Sequence, residues 1–97
     1  PLRIIDLASI PPSTIESMLY GHEPNSFPGA LDRQVGAFQH CDGGTLVLDD
    51  IDRLSAAQQE GLLAALESGI IRPVGAHYGF RVDVRLFVTS NIGLDQL

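Results

Sequence analysis

At 97 residues the chain has room for one small domain. It is 44% hydrophobic and 19% charged, a balance that excludes a disordered tail and fits a core-forming domain. A net charge of −6 argues against direct DNA contact by this segment. The single cysteine, Cys41, excludes an internal disulfide, and no apolar run approaches the roughly 20 residues that a membrane-spanning helix needs. A cytoplasmic location without membrane contact is the expectation.

In chain order, Leu2 to Leu7 reads as a short buried strand, broken by Pro11-Pro12. Ser13-Thr14-Ile15-Glu16 has capping-box spacing, and Ile15, Met18 and Leu19 then recur at helical intervals as far as Gly21. Residues 21–30 hold two prolines and two glycines and read as a loop. Leu31, Val35 and Phe38 share helical spacing, which predicts a second short helix. Asp42-Gly43-Gly44 is a turn into an apolar strand, Thr45 to Leu48.

The clearest helix follows. Ser55 is its N-cap, Gln58 completes a capping box, and Gly69 stops it. Leu62, Leu63 and Leu66 are its expected core stripe. Ile70 to Phe80 reads as a loop or irregular hairpin, and the alternation of Val82, Val84, Leu86 and Val88 as a last strand. Strands alternating with helices predict βαβ units, hence a parallel sheet with right-handed crossovers in a three-layer α/β/α arrangement.

The strand from Thr45 runs straight into two carboxylates, Asp49 and Asp50. Ligands of open α/β sheets bind beyond the carboxyl ends of the strands, and hard cations take oxygen ligands. Gly43 to Asp50 therefore reads as a Walker B element. Asp6 and Asn91 also fall at strand ends and should gather on the same edge. The plain alternatives are an acidic pair at a helix start for Asp49 and Asp50, and a turn residue for Asn91. His22, His40, Cys41 and His77 lack metal-ligand spacing, and Cys41 is expected to be structural.

Taken together, Glu16-Ser17-Met18-Leu19-Tyr20-Gly21-His22-Glu23, Asn25-Ser26-Phe27-Pro28-Gly29-Ala30, Gly36 to Asp50 and Val82 to Asn91 resemble the AAA+ central domain of bacterial enhancer-binding proteins, the sigma-54-dependent transcriptional activators. The resemblance covers nearly the whole chain. It implies a partial AAA+ (P-loop NTPase) core across 1–97, without the phosphate-loop (Walker A) segment and without the C-terminal sensor and arginine-finger segment. It implies an ATP and Mg²⁺ site in a longer parent that assembles as a ring, usually a hexamer, and remodels sigma-54 RNA polymerase. By this likeness Asp49 would hold Mg²⁺, Asp50 would polarise the attacking water, and Asn91 would sense the γ-phosphate. Phe27, Pro28, Gly29 and Ala30 would form the partner-contacting loop.

The chain departs from the family pattern at places that bear on the expected roles. Pro28 replaces the loop threonine, Asp50 the usual glutamate, Asp6 an asparagine, and Pro73 the hairpin arginine, with Arg72 one position earlier. Two readings stay open: an ATP-dependent transcriptional regulator, or a degenerate AAA+ module that keeps the fold without the motor. The sequence opens on Pro1 rather than Met and stops without a capping signal, so a segment of a longer protein is expected.

Overall fold

A computed structural model describes residues 1–90. Three parallel strands form the central sheet: β1 (Leu2–Asp6), β4 (Thr45–Asp49) and β7 (Arg85–Val88), with β4 in the middle. Register pairs Leu2 with Thr45 and Asp6 with Asp49 on one side, and Thr45 with Arg85 and Leu48 with Val88 on the other. Parallel neighbours cannot be joined by a tight turn. The intervening chain supplies α1 (Ile15–Tyr20), α2 (Ala37–His40) and α3 (Ala56–Ser68), with two short antiparallel pairs, β2 (Gly21–His22) with β3 (Gln34–Val35) and β5 (Ile70–Ile71) with β6 (Phe80–Arg81). The α/β class with a parallel sheet is thus present. Among the described residues, no helix is long and apolar enough to cross a membrane.

Alternation along β4 decides which face of the sheet is covered. Leu46 and Leu48 are fully buried and join Ile5, Leu7, Ile15, Leu19, Phe38 and Leu62 in one core, so residues from all three helices meet this face. On the opposite face Ile4 is 63% exposed and its register mate across the sheet, Phe87, 53%. A second helical layer over that face does not come from the described residues, and the buried-strand expectation for 2–7 holds only for Ile5 and Leu7.

Local signals account for α3. The Ser55 hydroxyl accepts from the Gln58 N–H at 3.1 Å, and the Gln58 side chain accepts from the Ser55 N–H at 2.9 Å, so the predicted capping box forms. Gly69 closes the helix in the left-handed conformation, φ 71°. The leucine stripe is only partly core, because Leu62 is buried while Leu63 and Leu66 border an open apolar groove with Leu86 and Val88.

Three other expectations change. The capping box at Ser13–Glu16 does not form: Pro12–Thr14 is a 3-10 turn, and the Thr14 hydroxyl donates back to the Pro11 carbonyl at 3.0 Å. The helix predicted across 31–38 is confined to Ala37–His40, because Gln34–Val35 pairs instead with Gly21–His22. That pairing brings backbones so close that a Cβ on Gly36 would lie 2.4 Å from the Gly21 nitrogen, and one on Gly21 2.5 Å from the Gln34 oxygen. Only glycines admit such an approach, and Gly21 also sits at φ +85°. The last strand starts at Arg85, and Phe80–Arg81 belongs to the hairpin. Tyr20 stacks on Phe38 at 5.8 Å, and burial, followed by the Glu16 charge, raises its phenol pKa.

Candidate functional site

Parallel alignment puts the ends of β1 and β4 side by side, so Asp6 and Asp49 are register partners and Asp50 follows at once. Together with Ala8, Thr89 and Ser90 they line an open cleft of about 300 Å³. The expected gathering of strand-end carboxylates on one edge is therefore present for Asp6, Asp49 and Asp50. Asn91 lies outside the described residues.

Each carboxylate is held differently. Asp6 is turned back on its own chain, accepting from the Ala8 N–H at 3.0 Å and from the Ser9 hydroxyl at 2.8 Å. Asp49 accepts from the Thr89 hydroxyl at 3.0 Å. Asp50 sits in the left-handed region, φ 66° and ψ 58°, where a non-glycine residue is uncommon. Its carboxylate lies 3.5 Å from the Arg53 guanidinium, and its N–H donates to the Thr89 hydroxyl at 3.2 Å. The Ser90 hydroxyl donates to Asp52 at 2.8 Å. Thr89 and Arg53 are participants that the sequence reading missed. The hydroxyl run Thr89-Ser90 immediately before Asn91 was the available signal.

The loop expected to meet a partner does not line this cleft. Phe27 is 40% exposed, and its ring meets the His22 imidazole edge-on at 5.0 Å. The turn closes where the Ala30 N–H donates to the Phe27 carbonyl at 3.0 Å. Ala30 is buried, so the presented surface is Phe27, Pro28 and Gly29. The base of the loop is pinned by His22. Its Nε2 lies 2.9 Å from the Asp32 carbonyl, which can only accept, so Nε2 donates there, and Nδ1 shares a hydrogen bond with the buried Ser17 hydroxyl. Backbone bonds then join this base to the hairpin: Glu23 N–H to the Val74 carbonyl at 3.0 Å, and Val74 N–H to the Gly21 carbonyl at 2.9 Å.

Glu23 adds side-chain ties. Its carboxylate accepts from the Tyr78 hydroxyl and pairs with Arg33 at 2.9 Å. The Tyr78 bond and, less strongly, Arg33 hold the Glu23 carboxyl below the usual carboxylate range, while the same contacts raise the Tyr78 phenol and the Arg33 guanidinium. A concavity of about 720 Å³ lies between α1, α3 and this hairpin. Its walls are mainly apolar, including Ile15, Leu19 and Leu54, whereas the carboxylates line the smaller cleft.

Asp49 ends the central strand of the parallel sheet and Asp50 follows it, at the strand end beyond which open α/β sheets bind their ligands. Comparison with known proteins makes the class particular: the family model for the sigma-54 interaction domain matches residues 1–97, and the chain belongs to that family. It is 40% identical over 96 residues to the transcriptional regulatory protein FlbD of Caulobacter vibrioides, covering 99% of this chain and 21% of FlbD. It is 43% identical over 96 residues to the anaerobic nitric oxide reductase transcription regulator NorR of Klebsiella pneumoniae, covering 99% of this chain and 19% of NorR. Among solved structures, NtrX from Brucella abortus superposes with a TM-score of 0.83 at 28% identity, covering 99% of this chain and 20% of NtrX. NtrX in complex with ATP superposes at 0.81, also at 28% identity, with 99% and 21% covered. The chain therefore spans about a fifth of the length of the relatives it matches.

Proposed function

We propose that this chain is the Walker B portion of an ATP-hydrolysing transcriptional regulator that acts on sigma-54 RNA polymerase. The observation that carries the reading is the Asp49–Asp50 pair at the end of the central strand, in a chain of the sigma-54 interaction family whose NtrX relative is known with ATP. Asp49, Asp50, Thr89 and Ser90 supply oxygen atoms, the donor type that Mg²⁺ selects. Among the described residues no cluster of three His, Cys, Asp or Glu is spaced to hold a metal unaided, so the ion would complete its shell with water and phosphate oxygens. Bound there, Mg²⁺ would neutralise the phosphate charge that develops as the γ-phosphoryl leaves.

In this reading Asp49 holds the hydrated cation, Asp50 orients the attacking water, and Asn91 senses the γ-phosphate. The Phe27–Gly29 surface is the contact for sigma-54. Ring assembly of the longer protein and its place in the cytoplasm belong to the same proposal. The test is ATP hydrolysis by the full-length protein that carries this chain. Asp49→Ala is expected to lower turnover by about 100-fold or more, and unchanged turnover would overturn the assignment.

The Asp50–Arg53 pair favours a second reading, because a carboxylate facing a guanidinium is less free to orient water. On that reading the domain is a regulatory module without hydrolysis, and the unaltered full-length protein would show no turnover at all.

A further inference from the structure

Thr89 stands one strand away from the carboxylate pair, at the first residue past β7, yet it bonds to four consecutive residues around them. Its N–H donates to the Leu48 carbonyl at 3.0 Å, and its carbonyl accepts from the Ile51 N–H at 2.8 Å. Its hydroxyl completes the set between those two. An amide N–H can only donate, so at Asp50 the hydroxyl oxygen accepts, at 3.2 Å. The hydroxyl proton is then committed to Asp49 Oδ1, at 3.0 Å. Two backbone bonds fix the Thr89 main chain, and a β-branched side chain has few χ1 choices. The oxygen that meets Asp49 is therefore itself fixed.

We propose that Thr89 is a positioning residue for the cation site. Its hydroxyl turns Oδ1 of Asp49 toward β7 and leaves Oδ2 as the oxygen for a cation or its bound water. The same hydroxyl fastens the Asp50 amide in its left-handed turn, so one side chain sets both carboxylates relative to the neighbouring strand. Partners that orient metal-ligating carboxylates typically matter by about 10- to 100-fold in metal affinity. The inference rests on the cation-site reading of Asp49 given above.

The test is Mn²⁺ binding to the full-length protein in the presence of ADP, followed by the electron paramagnetic resonance signal of free Mn²⁺. Thr89→Val keeps the shape and removes the hydroxyl. It is expected to weaken Mn²⁺ binding by about 10-fold. Thr89→Ser restores the hydroxyl and should bind close to the unaltered protein. Thr89 is exposed, so both variants should fold, and Thr89→Ala serves in place of valine if that variant does not. Unchanged Mn²⁺ affinity in Thr89→Val, alongside a loss in Asp49→Asn, would overturn the role of Thr89 and keep the site. Unchanged affinity in Asp49→Asn as well would overturn the site itself. A serine variant as weak as the valine one would show that the hydroxyl is not the cause.

Discussion

The carboxylate edge and the loop–hairpin end of this chain are fastened by different kinds of bond. At the edge, Asp49 and Asp50 extend from the central strand of a parallel sheet, and their neighbour Thr89 is tied by backbone as well as by its hydroxyl. At the other end, the loop that presents Phe27 is anchored at its base by His22 and the Val74 backbone bonds. Its link to Arg33 and Tyr78 then runs through one half-buried carboxylate, Glu23. The first arrangement sits at the end of a core strand and adds one hydroxyl to its backbone ties. The second adds to its backbone ties an exchangeable, titratable carboxylate, Glu23. The catalytic role proposed for the edge would demand fixed geometry, since a misplacement of about 1 Å can cost on the order of 100-fold in rate. The partner contact proposed for the loop would benefit from ties that can be released.

The largest way to break this contrast is chemical. Asp50→Asn keeps the size of the side chain, suits the left-handed backbone, and removes the carboxylate. ATP hydrolysis by the full-length protein should fall by about 100-fold or more while the melting temperature stays nearly constant. A variant that lost stability instead would show that Asp50 serves the fold through Arg53. Next in size is Gly36→Ala. A methyl group there meets backbone at 2.4 Å, and relief requires the β2–β3 pairing to open. The expected loss is about 3 kcal/mol in chemical unfolding, with the carboxylate edge unaffected in any population that remains folded.

The smallest effect sharpens the loop side. The chain has two tyrosines, both with raised phenol pKa values but for different reasons. Burial dominates at Tyr20, whereas the bond to Glu23 dominates at Tyr78. Glu23→Gln should therefore lower one phenolate transition in an alkaline absorbance titration and leave the other in place. The sign for stability follows from the directions. Glu23 is lowered in the folded chain, so its contribution is present above the ordinary carboxylate value and lost as pH falls through the folded one. Tyr78 is raised, so its contribution is present below the ordinary phenol value and lost as pH rises through the folded one. Neutral pH lies inside both limits, and the Glu23–Tyr78 tie should open only beyond either end.

What was legible in the sequence was local. Ser55, Gln58 and Gly69 define α3 because caps act over three or four residues, and the apolar run into Asp49 and Asp50 marks the central strand. The helix expected over 31–38 was misread because its spacing signal was outweighed by a contact between Gly21 and Gly36, 15 positions apart. Leu63 and Leu66 fit a stripe that only the tertiary packing could divide into covered and open halves. At the site, the paired acids were legible, but Thr89 was not. Its partners lie 39 and 40 residues earlier, and no periodicity records such a distance. The Glu23–Tyr78 contact, spanning 55 residues, was hidden for the same reason.

The left-handed backbone at Asp50 also bears on which amino acids can be exchanged there. That conformation admits glycine freely and asparagine or aspartate with modest strain, and it disfavours longer or branched side chains. Hydrolysis would demand an acid at the same place. The two filters overlap on aspartate, which satisfies the chain direction through its short side chain and the chemistry through its charge. Of the two acids, aspartate in place of the family's usual glutamate is the one this turn accepts more readily. The position is correspondingly narrow: a change to asparagine would preserve the fold and, under the proposed function, remove the required acid in a single step.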